Sequence, residues 1–186
     1  KMSKSNEERA NGVMKSAEKQ YSRKALAKLR YPLIQGGMGI GISMGGLAGA
    51  VAREGGMGVI STANIGFTEE DFWENPDEAA ERSLRREIRR ARDISEGKGL
   101  LAVNAMTVTN NYRRMVKTAA EEGIDAVISG AGLPLDLPDI IGDMPIMAAP
   151  VVSSAKAAGT ISALEDISAS AKKSSLKKHV SPFPKS

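Results

Sequence analysis

The stretch that decides the fold is residues 31–61, YPLIQGGMGIGISMGGLAGAVAREGGMGVIS. It opens with a short apolar run at residues 33–35, passes through a glycine-rich turn, and continues as a helix of small residues over 46–53. A glycine pair at 55–56 ends that helix, and residues 57–61 form a second apolar run. An apolar strand, a turn, a helix and another apolar strand together predict one βαβ unit.

The same alternation continues downstream. Asn75 and Pro76 predict the start of a long charged helix, because Asn is favoured at the N-cap and Pro at the first helical position. The later predicted elements are helices over 76–94 and 109–122, a helical turn over 137–141, and strands over 100–105, 125–129 and 147–152. Short apolar strands without strict alternation are typical of parallel sheets covered by helices. About five βα units are therefore predicted, in either part of a (β/α)8 barrel or a doubly wound sheet.

Composition excludes several classes of chemistry. The 186 residues contain no cysteine and a single histidine, His179. Disulfides, thiolate catalysis and cysteine- or histidine-rich metal sites are excluded, so no metal is expected. Because no apolar run reaches the length of a membrane helix and no signal peptide is recognisable, we expect a cytoplasmic protein with no membrane partner.

The net charge of +4 comes from the two ends of the chain. Residues 1–30 hold nine basic and three acidic side chains, and residues 161–186 hold five and two. Residues 31–160 are acidic, with twelve basic and seventeen acidic side chains. Since this central part has no basic stripe with interleaved aromatics, no nucleic-acid partner is expected. Residues 1–30 are predicted to form a basic N-terminal arm or helix.

Glycine density marks the first candidate site. Ten of the 19 glycines lie between residues 36 and 58, and the first cluster follows the first predicted strand. Glycine there lets the backbone approach a flat or charged ligand closely, and a tight turn with close helix packing is the alternative. The stretch matches neither the phosphate loop nor the GxGxxG fingerprint, because the required Lys and third glycine are missing.

Two more candidates end predicted strands. Asn104 ends the third strand, where barrel enzymes place ligand contacts, and its amide both donates and accepts, which suits the edge of a flavin or pyrimidine. Capping of the following turn is the alternative role. Gly130 ends the fourth strand. Glycine at this position has two possible roles: it lets the backbone approach a ligand closely, or it simply begins a loop.

Five collinear stretches resemble the nitronate monooxygenase (2-nitropropane dioxygenase) family. They correspond to its opening strand and flavin loop (31–39), its first helix and second strand (47–61), and its third, fourth and fifth strands (103–106, 121–134 and 150–158). The resemblance implies an incomplete (β/α)8 TIM barrel that binds FMN. It also implies oxidation of alkyl nitronates with O2, while a close branch of the family reduces enoyl groups on acyl-carrier protein with NAD(P)H and FMN.

The resemblance also implies roles for individual residues. Gly37, Met38 and Gly39 would face the flavin ring, mostly through their backbone. Asn104 would contact FMN through its side chain, and Gly130 would line the substrate side. A nitronate and O2 are the expected small-molecule partners.

The chain departs from the family after Gly159. The family continues into a sixth strand ending in Ala-Gly-Gly-His, whose His is the catalytic base, and into two strands that hold the FMN phosphate. Residues 160–186 form a basic Ser- and Lys-rich tail, and His179 is not preceded by Gly-Gly, so no catalytic residue is assigned.

Residues 31–159 are therefore interpreted as the first part of an FMN-binding barrel. Because about five strands cannot close a barrel, their edges favour self-association. We expect a truncated flavoenzyme that is inactive alone. A half-barrel fragment with no catalytic role is the competing hypothesis.

Overall fold

The structure is a computed structural model that describes residues 25–159. Helices and strands alternate along these residues. In chain order the elements are α1 (Gly45–Arg53), β1 (Met57–Ser61), α2 (Pro76–Ser95), β2 (Leu100–Met106), α3 (Tyr112–Glu121), β3 (Ala126–Gly130), α4 (Leu137–Ile141) and β4 (Met147–Pro150). The predicted α/β alternation is confirmed, with element ends that shift by a few residues.

The four strands form one parallel sheet in the order β1-β2-β3-β4. Ser61 pairs with Asn104, and Asn104 pairs with Ile128, so the carboxyl ends of these strands meet at one edge. A doubly wound sheet reverses its strand order at a switch point. No reversal occurs among the described strands, and this order is that of a barrel segment.

The sequence predicts a first strand at residues 33–35. In the structure this segment pairs with β1 through a single bridge only. Ile34 bridges to Met57 in parallel orientation. The Met57 N–H donates to the Leu33 carbonyl at 2.9 Å, and the Gln35 N–H donates to the Met57 carbonyl at 3.0 Å. Leu33 and Ile34 stay 55% and 56% exposed, because no described element covers their outer side. Among residues 25–159, one edge of the sheet therefore lies here and the other at β4.

One face of the sheet packs against the helices. Ile60, Val103 and Val127 point toward α1, α2 and α3 in a single core cluster and are fully buried. Helix α1 rests directly on β1, since a Cβ at Gly58 would overlap the backbone carbonyl of Ala48. Glycine is required at this position by the close approach of the two backbones.

The opposite face is covered at the amino ends of its strands by Ala25 and Leu29. These two side chains belong to a cluster with the first residues of the four strands, Met57, Leu100, Ala126 and Met147. Ala25 is only 4% exposed. Although the sequence places residues 1–30 in an arm outside the barrel, their last residues contribute to the core.

Helix α2 is tied to the end of α3 by arginine–carboxylate pairs. Arg89 donates to both carboxylate oxygens of Glu122, at 2.7 and 2.9 Å, and Arg85 donates to the same side chain at 3.1 Å. These arginines, Arg89 foremost, hold the pKa of the Glu122 carboxyl below its ordinary value.

Helix α2 begins at the predicted residue, but the predicted N-cap side chain does not form a capping hydrogen bond. Pro76 is its first residue, whereas Asn75, at the N-cap, forms no capping hydrogen bond with its side chain. Helix α2 is 20 residues long and strongly charged. Among residues 25–159, no helix is both long enough and apolar enough to cross a membrane.

Candidate functional site

The candidate site lies at the carboxyl edge of the sheet. The glycine loop, defined here as residues 36–43, leaves the edge segment 33–35 and passes over the ends of β1 and β2 before α1 begins. Ligands of barrel and open α/β proteins bind at this edge, because the loops that follow the strands converge there. The loop and the strand ends are therefore where a bound group is expected.

Gly37 lies directly against Asn104. A Cβ added at Gly37 would lie 2.5 Å from the Cβ of Asn104 and 2.7 Å from its Nδ2. Real Cβ atoms essentially never approach so closely, so only glycine allows the loop to reach this depth. The structure therefore brings together two of the residues that the sequence singled out, one from the loop and one from a strand end.

The Asn104 carboxamide makes no hydrogen bond to any other residue among 25–159. Its backbone carbonyl, in contrast, accepts hydrogen bonds from the N–H and the hydroxyl of Thr62, at 3.0 and 3.1 Å. The strand end is thus fixed while the half-buried amide keeps its donor and acceptor for another partner. The capping role that the sequence left open for this side chain has no hydrogen bond to support it within the described part of the chain.

Met38 and Gly39 continue the loop across β1. A Cβ at Gly39 would lie 2.8 Å from the Cβ of Ala63, just beyond the end of β1. Met38 is 45% exposed, and its N–H donates to the Ser43 hydroxyl at 2.9 Å. The loop backbone is therefore held close to the sheet edge, and the Met38 side chain remains accessible.

Gly130 lies at the same edge but one strand further along. It pairs with Met106, two residues beyond the Asn104–Ile128 pair, so it lies on the same face of the sheet as Asn104. Its carbonyl accepts a hydrogen bond from the Thr107 N–H at 2.9 Å. A Cβ at Gly130 would crowd the Val151 side chain, at 3.1 Å.

Two residues of the glycine loop region escaped the sequence analysis. Gln35 and Ser43 join their side chains across the loop at 2.9 Å. Polar residues that flank a glycine-rich turn on both sides were the available signal. Their pairing depends on the path of the loop between them, which the sequence pattern does not give.

These residues fit a flat flavin ring. Because Gly37 has no side chain, the loop backbone packs directly against Asn104, which places backbone and carboxamide side by side at the sheet edge. The unpaired Asn104 amide offers one donor and one acceptor side by side, which matches the alternating polar atoms at the edge of an isoalloxazine. No feature of this donor set calls for a metal ion.

A separate surface cavity of about 520 Å³ lies on α2, away from these residues. Its lining consists of Arg82, Arg85, Arg86, Arg89, Arg90 and Asp93. The arginines are paired with carboxylates, as in the contacts of Arg86 with Glu69 at 2.6 Å and of Arg89 with Glu122. Because these charges are already neutralised and the cavity faces solvent, it is not assigned to a ligand.

Comparison with known proteins agrees with this geometry. The sequence profile described as nitronate monooxygenase matches residues 20–167. FabK from Thermotoga maritima has a similar structure at 23% identity, with a TM-score of 0.61 over 76% of this chain and 40% of that one. A mutant of the same FabK matches at 26% identity, with a TM-score of 0.58 over 75% and 42%. No curated protein matches the sequence significantly.

The chain thus spans about two fifths of the FabK chains that it matches, at 40% and 42% of their length. Their likeness to the α/β arrangement described above confirms the predicted incomplete barrel over the doubly wound alternative.

Proposed function

Because the chain belongs to the nitronate monooxygenase family, we propose that it supplies the flavin-facing part of an FMN-dependent oxidoreductase that oxidises alkyl nitronates with O2. Members of this family are flavin-dependent oxidoreductases. The single observation that carries the proposal to these residues is the contact of Gly37 with Asn104, whose carboxamide has no partner within residues 25–159.

In this proposal each candidate residue has a distinct task. The backbone of Gly37, Met38 and Gly39 lies against the flavin ring, and the Asn104 amide donates to and accepts from the ring edge. Gly130 lines the space for the substrate, on the same face as Asn104. Bound FMN would supply reversible electron transfer, while the chain orients the ring and excludes water from it.

No catalytic acid or base is assigned among residues 25–159, and His179 lies outside the described residues. The described sheet has four strands, fewer than the eight of the barrel family. We therefore propose that turnover needs further strands around the glycine loop and that the described part binds the ring without completing the reaction.

We further propose that two copies associate through the open edges of their sheets. Within residues 25–159, the 33–35 segment and β4 lie at the two edges of one parallel sheet, and edges without a partner strand template pairing with another chain. Light scattering during size-exclusion chromatography is expected to give a dimer. A monomer at all concentrations contradicts this part of the proposal.

The proposal is tested by titrating the purified, FMN-free protein with FMN and following flavin fluorescence. We expect saturable binding near one FMN per chain, and about tenfold weaker binding by Asn104→Ala, because one or two hydrogen bonds are lost. Asn110→Ala is the matched control, since Asn110 is an exposed amide in the connection after β2. Equal affinity for both variants overturns the assignment of Asn104, and no binding by the unaltered chain supports a half-barrel without a catalytic role.

The reaction is tested on protein loaded with FMN. Because turnover is proposed to need further strands, the chain alone is expected to show no O2 uptake with propyl nitronate, and uptake is expected only in a form that contains those strands. The alternative, reduction of an enoyl thioester by the related branch of the family, predicts NAD(P)H oxidation with a crotonyl thioester instead. Both assays are needed because neither the glycine loop nor Asn104 contains a contact that separates the two substrates.

A further inference from the structure

Gln35 uses its whole side-chain amide on the protein itself. Its Nε2 donates to the Ser43 hydroxyl at 2.9 Å and to the Val59 carbonyl at 3.1 Å, and its Oε1 accepts from the Val59 N–H at 3.2 Å. The side chain thereby extends the hydrogen bonding of the sheet from the edge segment to β1. Unlike Asn104, Gln35 keeps no hydrogen-bonding capacity of this kind for a ligand.

Ser43 closes the loop from its other end. Its hydroxyl donates to the Gly36 carbonyl at 3.0 Å and accepts from the Met38 N–H at 2.9 Å. The Ser43 N–H donates to the Met38 carbonyl at 2.9 Å, and the Ser61 N–H donates to the Ser43 carbonyl at 2.9 Å. The Ser43 residue is fully buried, so these bonds are shielded from competing water.

Apolar burial contributes little to holding the glycine loop. Met38, Ile40 and Ile42 are 45%, 52% and 57% exposed. A loop with few buried apolar contacts belongs to the low-stability end of local structure. Its shape is therefore set mainly by the hydrogen bonds that converge on Gln35 and Ser43.

We propose that Gln35 and Ser43 form a clamp that holds the glycine loop in its ligand-binding shape before any ligand arrives. They are positioning residues, since the clamp acts through the backbone of residues 36–38 rather than by touching the flavin. Ordering the loop in advance removes an entropic cost from binding. The link to FMN rests on the proposed function, whereas the effect on loop order does not.

The test is hydrogen–deuterium exchange, read by mass spectrometry, on the full-length FMN-free protein and on Ser43→Ala. We expect exchange of peptides covering residues 36–43 to be at least about fivefold faster in the variant, with β2 and β3 unchanged. Ser153→Ala is the matched control, because Ser153 is exposed and lies outside the loop. Unchanged exchange in the loop, or equal acceleration throughout the sheet, overturns the clamp.

Gln35→Glu provides a second variant: it keeps the Oε1 acceptor, removes the hydrogen bonds that Nε2 donates to Gly36, Ser43 and Val59, and places a carboxylate oxygen against two of their carbonyls. We expect the same local acceleration, and FMN affinity lowered about tenfold in both variants when it is measured well below the unfolding transition of each. Faster loop exchange with unaltered FMN affinity overturns the role in binding. If the unaltered chain binds no FMN, the proposed function fails, and the exchange data still decide whether the clamp exists.

Discussion

Replacing Gly37 with alanine tests the closest contact in the candidate site. The new Cβ would lie 2.5 Å from the Cβ of Asn104, whereas ordinary van der Waals contact begins at 3.4 Å. Rotating the Asn104 side chain does not relieve this contact, because its Cβ is fixed to the β2 backbone. The glycine loop or the strand end must therefore move by the difference between these distances.

Such a displacement is large for a binding site. A shift on the order of 1 Å in a positioned group costs on the order of 10²-fold in function, so we expect Gly37→Ala to weaken FMN binding by about 10- to 100-fold. Gly36→Ala is the matched control, because a Cβ at Gly36 would meet nothing within 4 Å. Its effect on FMN affinity is expected to stay within about twofold, with a small gain in stability from the less flexible unfolded chain.

The assay is the fluorescence titration with FMN, accompanied by thermal unfolding of each variant. Gly37→Ala is expected to lose affinity while its unfolding midpoint stays near that of Gly36→Ala, since the loop is largely exposed. Equal FMN affinities of the two variants would refute the reasoning. A collapse of stability in Gly37→Ala would also count against it, because the contact would then support the fold rather than the site.

Three further changes test the framework around the site. Gly58→Ala places a Cβ on a backbone carbonyl of α1, and urea unfolding is expected to show a loss of about 3 kcal/mol. Tyr112→Phe removes the buried 2.8 Å hydrogen bond to Ser129, and the same measurement is expected to show a loss of about 1–2 kcal/mol. The lowered pKa of Glu122 means that its stabilisation is present above the ordinary value of 4.5 and is lost as pH falls through the folded-state pKa. The thermal unfolding midpoint should therefore fall less steeply below pH 4.5 for Glu122→Gln than for the unaltered chain. The difference is expected to correspond to about 1 kcal/mol of stability or less.

Elements with strong local punctuation were predictable from the sequence. Strand β1 begins and ends where its apolar run does, after the glycine pair at 55–56, and α2 begins at Pro76 as predicted. The segment 33–35 was less predictable: its pairing with β1 is limited to the Ile34–Met57 bridge, because the next paired position on β1, Val59, bonds the Gln35 side chain instead of a backbone group. Local pattern thus located the elements, while neighbours decided how complete each one is.

The candidate site divides in the same way. That the glycine loop and Asn104 meet follows from parallel strands, whose carboxyl ends share one edge. The clamp does not follow from any such rule, because Gln35 and Ser43 are eight residues apart and meet only through the path of the loop. The two roles considered for Asn104, ligand contact and turn capping, depend on whether its carboxamide already has a hydrogen-bond partner. The sequence does not give this information.

The side chains of Ala25 and Leu29 cover the face of the sheet opposite the helices, at the amino ends of the strands. They close its amino end against the first residues of all four strands, so a molecule over Asn104 does not reach that side chain from this end. A variant that begins at residue 31, where the recognisable barrel pattern starts, would lack Ala25 and Leu29. The first residues of the four strands would then be exposed to water on this face. The folded unit therefore begins earlier in the chain than the motifs reveal.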